Sequence, residues 1–431
     1  MDYGLVSTFS VTTTATRTFL ATMIALVLFL CGRATAQSKV DELKSADEIA
    51  QAWKSAGWEL GDRWKPVVDP QAVQKWGESF EKAASENDVK ALMKLLDLEP
   101  NIDKVGAAIA DGNLKNSFRS GYKKGVARLF KVCCDPEGSF VFRGVHLTEF
   151  GPTALMRLIG ADGACNYHFW RVLENEQGEI LGIDGYFVLS GETLSESMQK
   201  MVVLALPPDE RNFIQRVMGV ERSNTKTLSE LTVFWKAANQ GQHQKVLSSF
   251  DRIPEDFQNA KLVLLPAILS AGTVDDDEKY VDLLGRFRKL YPDDVAADLA
   301  GVDFYFMKKD YSQMQDAIDR VESCVGEDAH LKLLKSVGYV GSEQPQKAIE
   351  VLQQAIKIEP SFETSYWQLV EVCLAEKEHA IVSDALKALV EEFGYTDFAM
   401  EEVDLYEDYI DSPEHDEFQT FLKQYIQQQQ L

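Results

Sequence analysis

Residues Ala329–Phe362 read AHLKLLKSVGYVGSEQPQKAIEVLQQAIKIEPSF, and their landmarks recur every 34 residues along the C-terminal part of the chain. Leu290–Pro292, Cys324–Gly326 and Ile358–Pro360 stand 34 residues apart, and Gly394 continues the register. Five residues before Pro292, Gly326, Pro360 and Gly394 stand Phe287, Val321, Ala355 and Leu389; eight before stand Leu284, Ile318, Leu352 and Leu386. Twelve before stand Tyr280, Met314, Ala348 and Val382, and twenty-one before stand Ala271, Tyr305, Tyr339 and Cys373. One helical pair of this size cannot bury its apolar face alone, so the period predicts stacked helix–turn–helix units. Such an array builds binding surfaces rather than catalytic pockets, so it implies a partner and does not name a reaction.

Working outward from the array, 431 residues predict two domains. The 45% hydrophobic and 10% aromatic content suits globular cores. A formal charge of -24 argues against nucleic acid, whose phosphates need a Lys/Arg surface, and against anionic membrane surfaces. At the N-terminus, Arg17 precedes an apolar run of twelve residues, Phe19 to Leu30, interrupted by Thr22. Ala34-Thr35-Ala36 then offers small residues for a signal peptidase, so residues 1–36 read as a secretion signal and Gln37 as the mature start, periplasmic or secreted. The run is short of the roughly 20 residues that span a membrane; an uncleaved N-terminal anchor is the alternative. Five cysteines remain after cleavage, an odd number without zinc-ligand spacing, and Cys324 and Cys373 fall at apolar repeat positions that suit buried thiols.

Residues 37–77 form a lead segment holding Trp53, Trp58, Trp64 and Trp76, which read as packing anchors. Residues 78–132 carry apolar residues at helical spacing. Aromatic and β-branched runs follow at Phe140–Leu147, Thr153–Ile159, Tyr167–Leu173 and Ile180–Leu189, separated by turn-forming stretches, which predicts an antiparallel meander. Thr193-Leu194-Ser195-Glu196 has the form of a capping box opening a helix through Ala205. Residues 78–222 are therefore an expected α+β domain. The stretch Tyr167-His168-Phe169-Trp170-Arg171-Val172, then Gly178, Ile183-Asp184-Gly185-Tyr186 and Ser190-Gly191-Glu192-Thr193-Leu194-Ser195, resembles the last two strands of the nuclear transport factor 2-like cone fold. That resemblance implies a curved sheet wrapped on helices with a pocket at its wide end. It implies no activity, because the superfamily includes enzymes, binders and scaffolds.

Residues 223–431 resemble an array of tetratricopeptide repeats, an all-α superhelix, with four units in register from 261–294 to 363–396 and a weaker one from about Thr227. In the unit 329–362, Tyr339, Ala348, Leu352, Ala355 and Pro360 stand at that family's packing positions, with Tyr305 equivalent to Tyr339 one unit earlier. The small Ala348 and Ala355 let helices approach, and Pro360 ends the second helix. The resemblance implies a groove lined by the first helix of each unit. Its positions fall on Phe306, on Leu333, Val337 and Gly341, and on Trp367 and Glu371, among others. No Lys/Arg/Asn set suited to a peptide carboxylate is present there, so the groove would take an amphipathic or basic-apolar segment, unless the chain's own terminal helix Phe418–Ile426 fills it. From Glu391 to Glu417 twelve carboxylates occur without a Lys or Arg, interleaved with aromatic residues, which reads as an acidic cap on the array.

Candidate acid–base residues in the sheet region are His146, His168, Asp184 and Tyr186. Asp184 and Tyr186 are two apart on one strand and share a face, and a neighbouring His168 could complete a proton-transfer pair. Against this, strand histidines commonly make one structural hydrogen bond, and Asp184 sits between Gly182 and Gly185, where a bulge is plausible. No phosphate loop, nucleotide-binding glycine motif, nucleophile elbow or metal motif is present, so no cofactor and no metal are expected. The run Asp275-Asp276-Asp277-Glu278 lacks the alternating ligands of a calcium loop and suits the positive end of a helix. The expected function is an exported, non-enzymatic scaffold for a protein or peptide partner, with a homo-oligomer possible. The alternative is an exported enzyme or small-ligand binder working through the cone, with the repeats as a docking arm.

Overall fold

A computed structural model describes residues 54, 63–106, 112–134, 138–148, 150–160, 163–197 and 225–429. The expected secretion signal, Trp53, Trp58, Ala205 and the expected domain boundary at 222/223 lie outside these residues. The chain divides into two compact units, Met1–Ala300 and Gly301–Leu431.

The first unit opens with strand β1 (Trp64–Pro66) and four helices, α1 (Pro70–Ser85), α2 (Val89–Lys94), α3 (Glu99–Gly106) and α4 (Gly112–Cys133). Strands β2 (Ser139–Thr148), β3 (Gly151–Ile159), β4 (Cys165–Asn175), β5 (Ile180–Phe187) and β6 (Glu192–Thr193) follow. They form an antiparallel sheet in the order β2-β3-β4-β5-β6, and β1 pairs with the end of β4 through Trp64↔Asn175 and Pro66↔Leu173. Two irregularities bend it, one between Phe142 and Gly144 and one at Arg171/Val172 opposite Ile183. The helices cover one face. Trp76, Phe80, Phe130, Phe140, Trp170 and Phe187 are buried there, with neighbouring ring centroids 5.1 to 6.2 Å apart. Glycine makes this packing possible. A Cβ on Gly182 would meet Trp76 at 2.5 Å and Leu96 at 2.8 Å, and one on Gly185 would meet Trp170 at 3.0 Å. Trp76 Nε1 donates to the Leu95 carbonyl (2.9 Å), and the Gly182 amide donates to the same oxygen (2.9 Å), so the ring and the edge of the sheet are fixed together.

Helical hairpins follow. Among the described residues these are α5 (Thr225–Asn239) with α6 (His243–Phe250), α8 (Lys261–Thr273) with α9 (Asp277–Leu290), and α10 (Val295–Met307) with α11 (Tyr311–Val325). Next come α12 (Ala329–Gly341) with α13 (Pro345–Ile358), and α14 (Glu363–Ala375) with α15 (His379–Phe393); short α7 (Glu255–Gln258) lies between the first two pairs. The second helices begin at 243, 277, 311, 345 and 379, a strict 34-residue step. The turns explain the step. Gly241, Asp275, Lys309, Glu343 and Lys377 occupy the same turn position, all with φ between 57° and 63°. The amide of the next residue donates to the carbonyl five residues back in every case, at 2.8 to 3.0 Å. These are left-handed helix C-caps, and glycine supplies just one of them. The chain ends in α16 (Glu407–Ile410) and α17 (Pro413–Gln429).

Helix α8 is buried on every side from Lys261 to Gly272, as its uniformly apolar sequence demands. Its one charge, Lys261, is 3% exposed, ion-paired with Asp294, and donates to the Ser190 carbonyl after β5 at 3.2 Å. A Cβ on Gly191 (φ 69°) would lie 2.6 Å from the Lys261 nitrogen. The sheet domain and the first hairpins therefore share one packed body within the first unit.

Candidate functional site

In the sheet domain His168 and Asp184 occupy separate environments. His168 pairs with Phe187 and Asp184 with Arg171 across β4 and β5, so strand alternation directs them to opposite faces. His168 points toward the helices, between the rings of Phe140 (5.3 Å) and Phe187 (4.3 Å), and is fully buried. The Asn166 side-chain oxygen accepts from the Tyr167 and Leu189 amides, both at 2.9 Å, which leaves its nitrogen to donate to His168 Nε2 at 3.2 Å. Nε2 is thus unprotonated and the proton sits on Nδ1, which has no hydrogen-bond partner among the described residues. Burial drives the His168 pKa down to about 3.

Asp184 is also fully buried, and its acceptors are spent on structure. It takes the Ser195 amide (3.0 Å), the Ser195 hydroxyl (2.7 Å), the Gly185 amide (3.1 Å) and the Asn101 side chain (3.4 Å). Burial raises its pKa, against the pull of Arg171, the Ser195 hydrogen bonds and Lys104. Thr193 and Glu196 exchange the two bonds of the expected capping box, at 2.9 and 3.2 Å, so Asp184 anchors the start of that helix. Tyr186 lies against Phe169 (6.4 Å), which His146 also touches (5.4 Å). The structure brings His146 and Tyr186 to one aromatic row and does not bring His168 to Asp184.

In the second unit, Phe306 on α10, Leu333 and Val337 on α12, and Trp367 and Glu371 on α14 are all half-buried. Gly341 is exposed, and a Cβ there would meet the Tyr311 ring of α11 at 2.4 Å. Trp367 is covered in part by the chain itself. Its Nε1 donates to Glu363 (2.9 Å), and the Tyr395 hydroxyl donates to the same Glu363 oxygen (2.6 Å). The rings of Tyr395 and Phe398 stand 5.2 and 5.9 Å from Trp367. The covering residues are thus the acidic segment after α15, ahead of the terminal helix. Beside Glu371, burial and that carboxylate push the Tyr406 hydroxyl up to about 12.

Ala348, Leu352 and Ala355 are fully buried, and Tyr305 is buried with its hydroxyl on Gln313 (3.2 Å). Tyr339 is half-buried under the Lys347 ammonium, 5.6 Å from the ring centre. Pro360 is exposed just past the end of α13. A charged network carries no signature in the sequence: Lys332 and Lys335, both largely buried, bind Glu322 of α11 at 2.7 and 2.5 Å, and Lys335 also binds Asp319 at 2.6 Å. Cys324 and Cys373 are buried free thiols, pushed up by burial to about 11 and about 12. Asp276 caps α9 by accepting the Lys279 amide at 3.1 Å, and Asp277 and Glu278 fill its first turn. Among the described residues no group of three or more His, Cys, Asp or Glu could hold a metal ion.

No family model matches the chain, and no curated protein matches it in sequence. Solved structures similar to its C-terminal helical part include MamA from Desulfovibrio magneticus RS-1, residues 41 to the end. That match has 18% identity and a TM-score of 0.36, and covers 40% of this chain and 98% of that one. A MamA RS-1 double mutant matches at 17% identity and 0.35, over 41% and 100% of the two chains. A further MamA crystal structure matches at 18% and 0.33, over 39% and 92%. Scores of this size assign no function.

Proposed function

We propose that the chain is an exported, non-enzymatic interaction scaffold that captures a protein or peptide along a tetratricopeptide-like groove, with a cone-like sheet domain as its structural support. The observation that carries this reading is the half-buried apolar set Phe306, Leu333, Val337 and Trp367, contributed by first helices that recur at the 34-residue step. Large apolar anchors of this kind supply most of the affinity at protein interfaces. The partner segment is amphipathic and basic: Glu371 flanks the groove and the net charge is -24. The enzyme or small-ligand alternative is disfavoured by the sealing of His168 among aromatic rings and by the use of Asp184 as a helix anchor. Export is supported by Arg17, the apolar run and Ala34-Thr35-Ala36.

The test is native cross-linked capture with the chain from Gln37 onward. Leu333→Ser with Val337→Ser should weaken capture by about 1–3 kcal/mol, while His168→Leu should leave it unchanged. Capture that survives the groove changes and fails with His168→Leu would move the function to the sheet domain. N-terminal sequencing of exported material should begin at Gln37, and an intact Met1 in the membrane fraction would replace export by anchoring.

A further inference from the structure

Trp367 is covered by aromatic side chains from later in the chain. After α15 the chain turns at Gly394, which has the left-handed φ of 75° and open space where a Cβ would be. Residues 395–399 then run without regular secondary structure across α14. Tyr395 stands edge-on to Trp367, and Phe398 lies against the same ring. Glu363 accepts from both the Trp367 indole and the Tyr395 hydroxyl on one oxygen, Oε1. The hydrogen bond to Glu363 heads the causes that hold the Tyr395 hydroxyl above its ordinary pKa. Thr396 and Asp397 between the two rings are exposed, so the segment's side-chain contacts come from Tyr395 and Phe398, while the Tyr395 amide donates to the Leu389 carbonyl at 3.3 Å. Beyond Ala399 the chain is anchored by Tyr409 bonded to Ser383 (2.8 Å) and by buried Phe418, against which Phe398 also packs at 5.5 Å.

We propose that Tyr395–Phe398 is a strap that occupies in cis an aromatic-recognition subsite made by Trp367 and Glu363, and that an incoming segment bearing a tyrosine must displace it. This rests on the groove proposed as the partner surface and names the chemistry accepted at one end of it: an aromatic ring against Trp367 and a hydroxyl donating to Glu363. The strap holds the subsite closed and lowers apparent affinity by the fraction of time it is closed.

The probe is a fluorescein-labelled peptide of residues Gly394–Asp404, titrated by anisotropy into the full chain and into a Tyr395→Ala, Phe398→Ala variant. The opened variant should bind the peptide at least about tenfold more tightly than the wild type. A peptide with the tyrosine replaced by alanine should bind neither, and adding Glu363→Gln to the opened variant should weaken binding. Tyr395→Phe, which keeps the ring and removes the bond to Glu363, should fall between wild type and the opened variant, and it guards against a loosened cap, because Phe398 stays on Phe418. Equal binding to wild type and opened variant overturns the strap. So does no binding to the opened variant at about 1 mM peptide, provided it melts cooperatively. Because the probe comes from this chain, failure to capture an outside partner would count against the groove as a partner surface and leave the strap standing.

Discussion

Replacing His168 should change how stability responds to acid, and the size follows from its surroundings. The Asn166 amide, oriented by two backbone donors, presents an N–H to Nε2, so protonation would set two donors against each other in a fully buried site. Burial holds the folded pKa at about 3, whereas an unfolded histidine titrates near ~6.5. The folded pKa is depressed, so the unfolded chain takes up the proton first. The stability is complete above the unfolded pKa and drains away as pH falls toward the folded one. Linkage between these two values predicts a loss of about 2 kcal/mol at pH 5 relative to pH 8 from this one ring. His168→Leu removes that dependence. It also leaves the Asn166 nitrogen without its acceptor, at a cost of about 1–3 kcal/mol at every pH. Urea midpoints read by tryptophan fluorescence at pH 8, 6.5 and 5 should then fall more steeply for the wild type than for His168→Leu. Burial also lowers the pKa of His146 and His243 and raises that of Asp184, but these groups are common to both proteins and cancel in the comparison. Equal losses in the two proteins, or a His168 ring that titrates near ~6.5 by NMR, would refute the buried neutral tautomer.

Three further outcomes are expected. Ala348→Asp or Ala355→Asp places an unpaired charge at a fully buried helix contact and should cost about 3–5 kcal/mol in a urea midpoint assay. Gly182→Ala drives a methyl group into Trp76 and Leu96 and should destabilise the sheet domain by about 1–3 kcal/mol, seen as a lower melting temperature by near-ultraviolet circular dichroism. Glu343→Gly and Lys377→Gly relieve left-handed backbone at φ 58° and 60°, and each should raise stability by about 0.5–1 kcal/mol; unchanged melting would mean that these turns are not strained.

The helical array was legible because its period is a property of the backbone turn. A left-handed residue followed by a cap sets the spacing, and the apolar register follows at Leu352, Leu386 and their equivalents. The strands were legible because aromatic and β-branched runs alternate with turn residues, and Gly182 and Gly185 marked the place where the ladder is disturbed. What escaped depends on contacts between residues distant in sequence. Repeat position placed Trp367 in a groove, but no local pattern shows that Tyr395 folds back onto it; the clue was an aromatic pair three residues apart inside an acidic run. No sequence pattern marks Lys332 and Lys335, whose partners Glu322 and Asp319 lie on the preceding helix. His168 and Asp184 looked like neighbours because adjacent strands bring their positions close, and the pairing His168↔Phe187 turns them to opposite faces.

The burial of Lys261 has a consequence for how the chain is made. Synthesis proceeds from the N-terminus, and the sheet is spelled out by Thr193. The lysine that binds the Ser190 carbonyl comes 71 residues after it, and the carboxylate that neutralises that lysine comes 33 residues later still. Until Asp294 has left the ribosome, closing the body around α8 would entomb a lone ammonium. A nascent chain halted in that interval carries a helix that is apolar on every side and has nowhere to be stored. Closing of the sheet domain against α8 is therefore favourable only once Asp294 is available, and until then the segment 261–273 is an apolar surface without its cover.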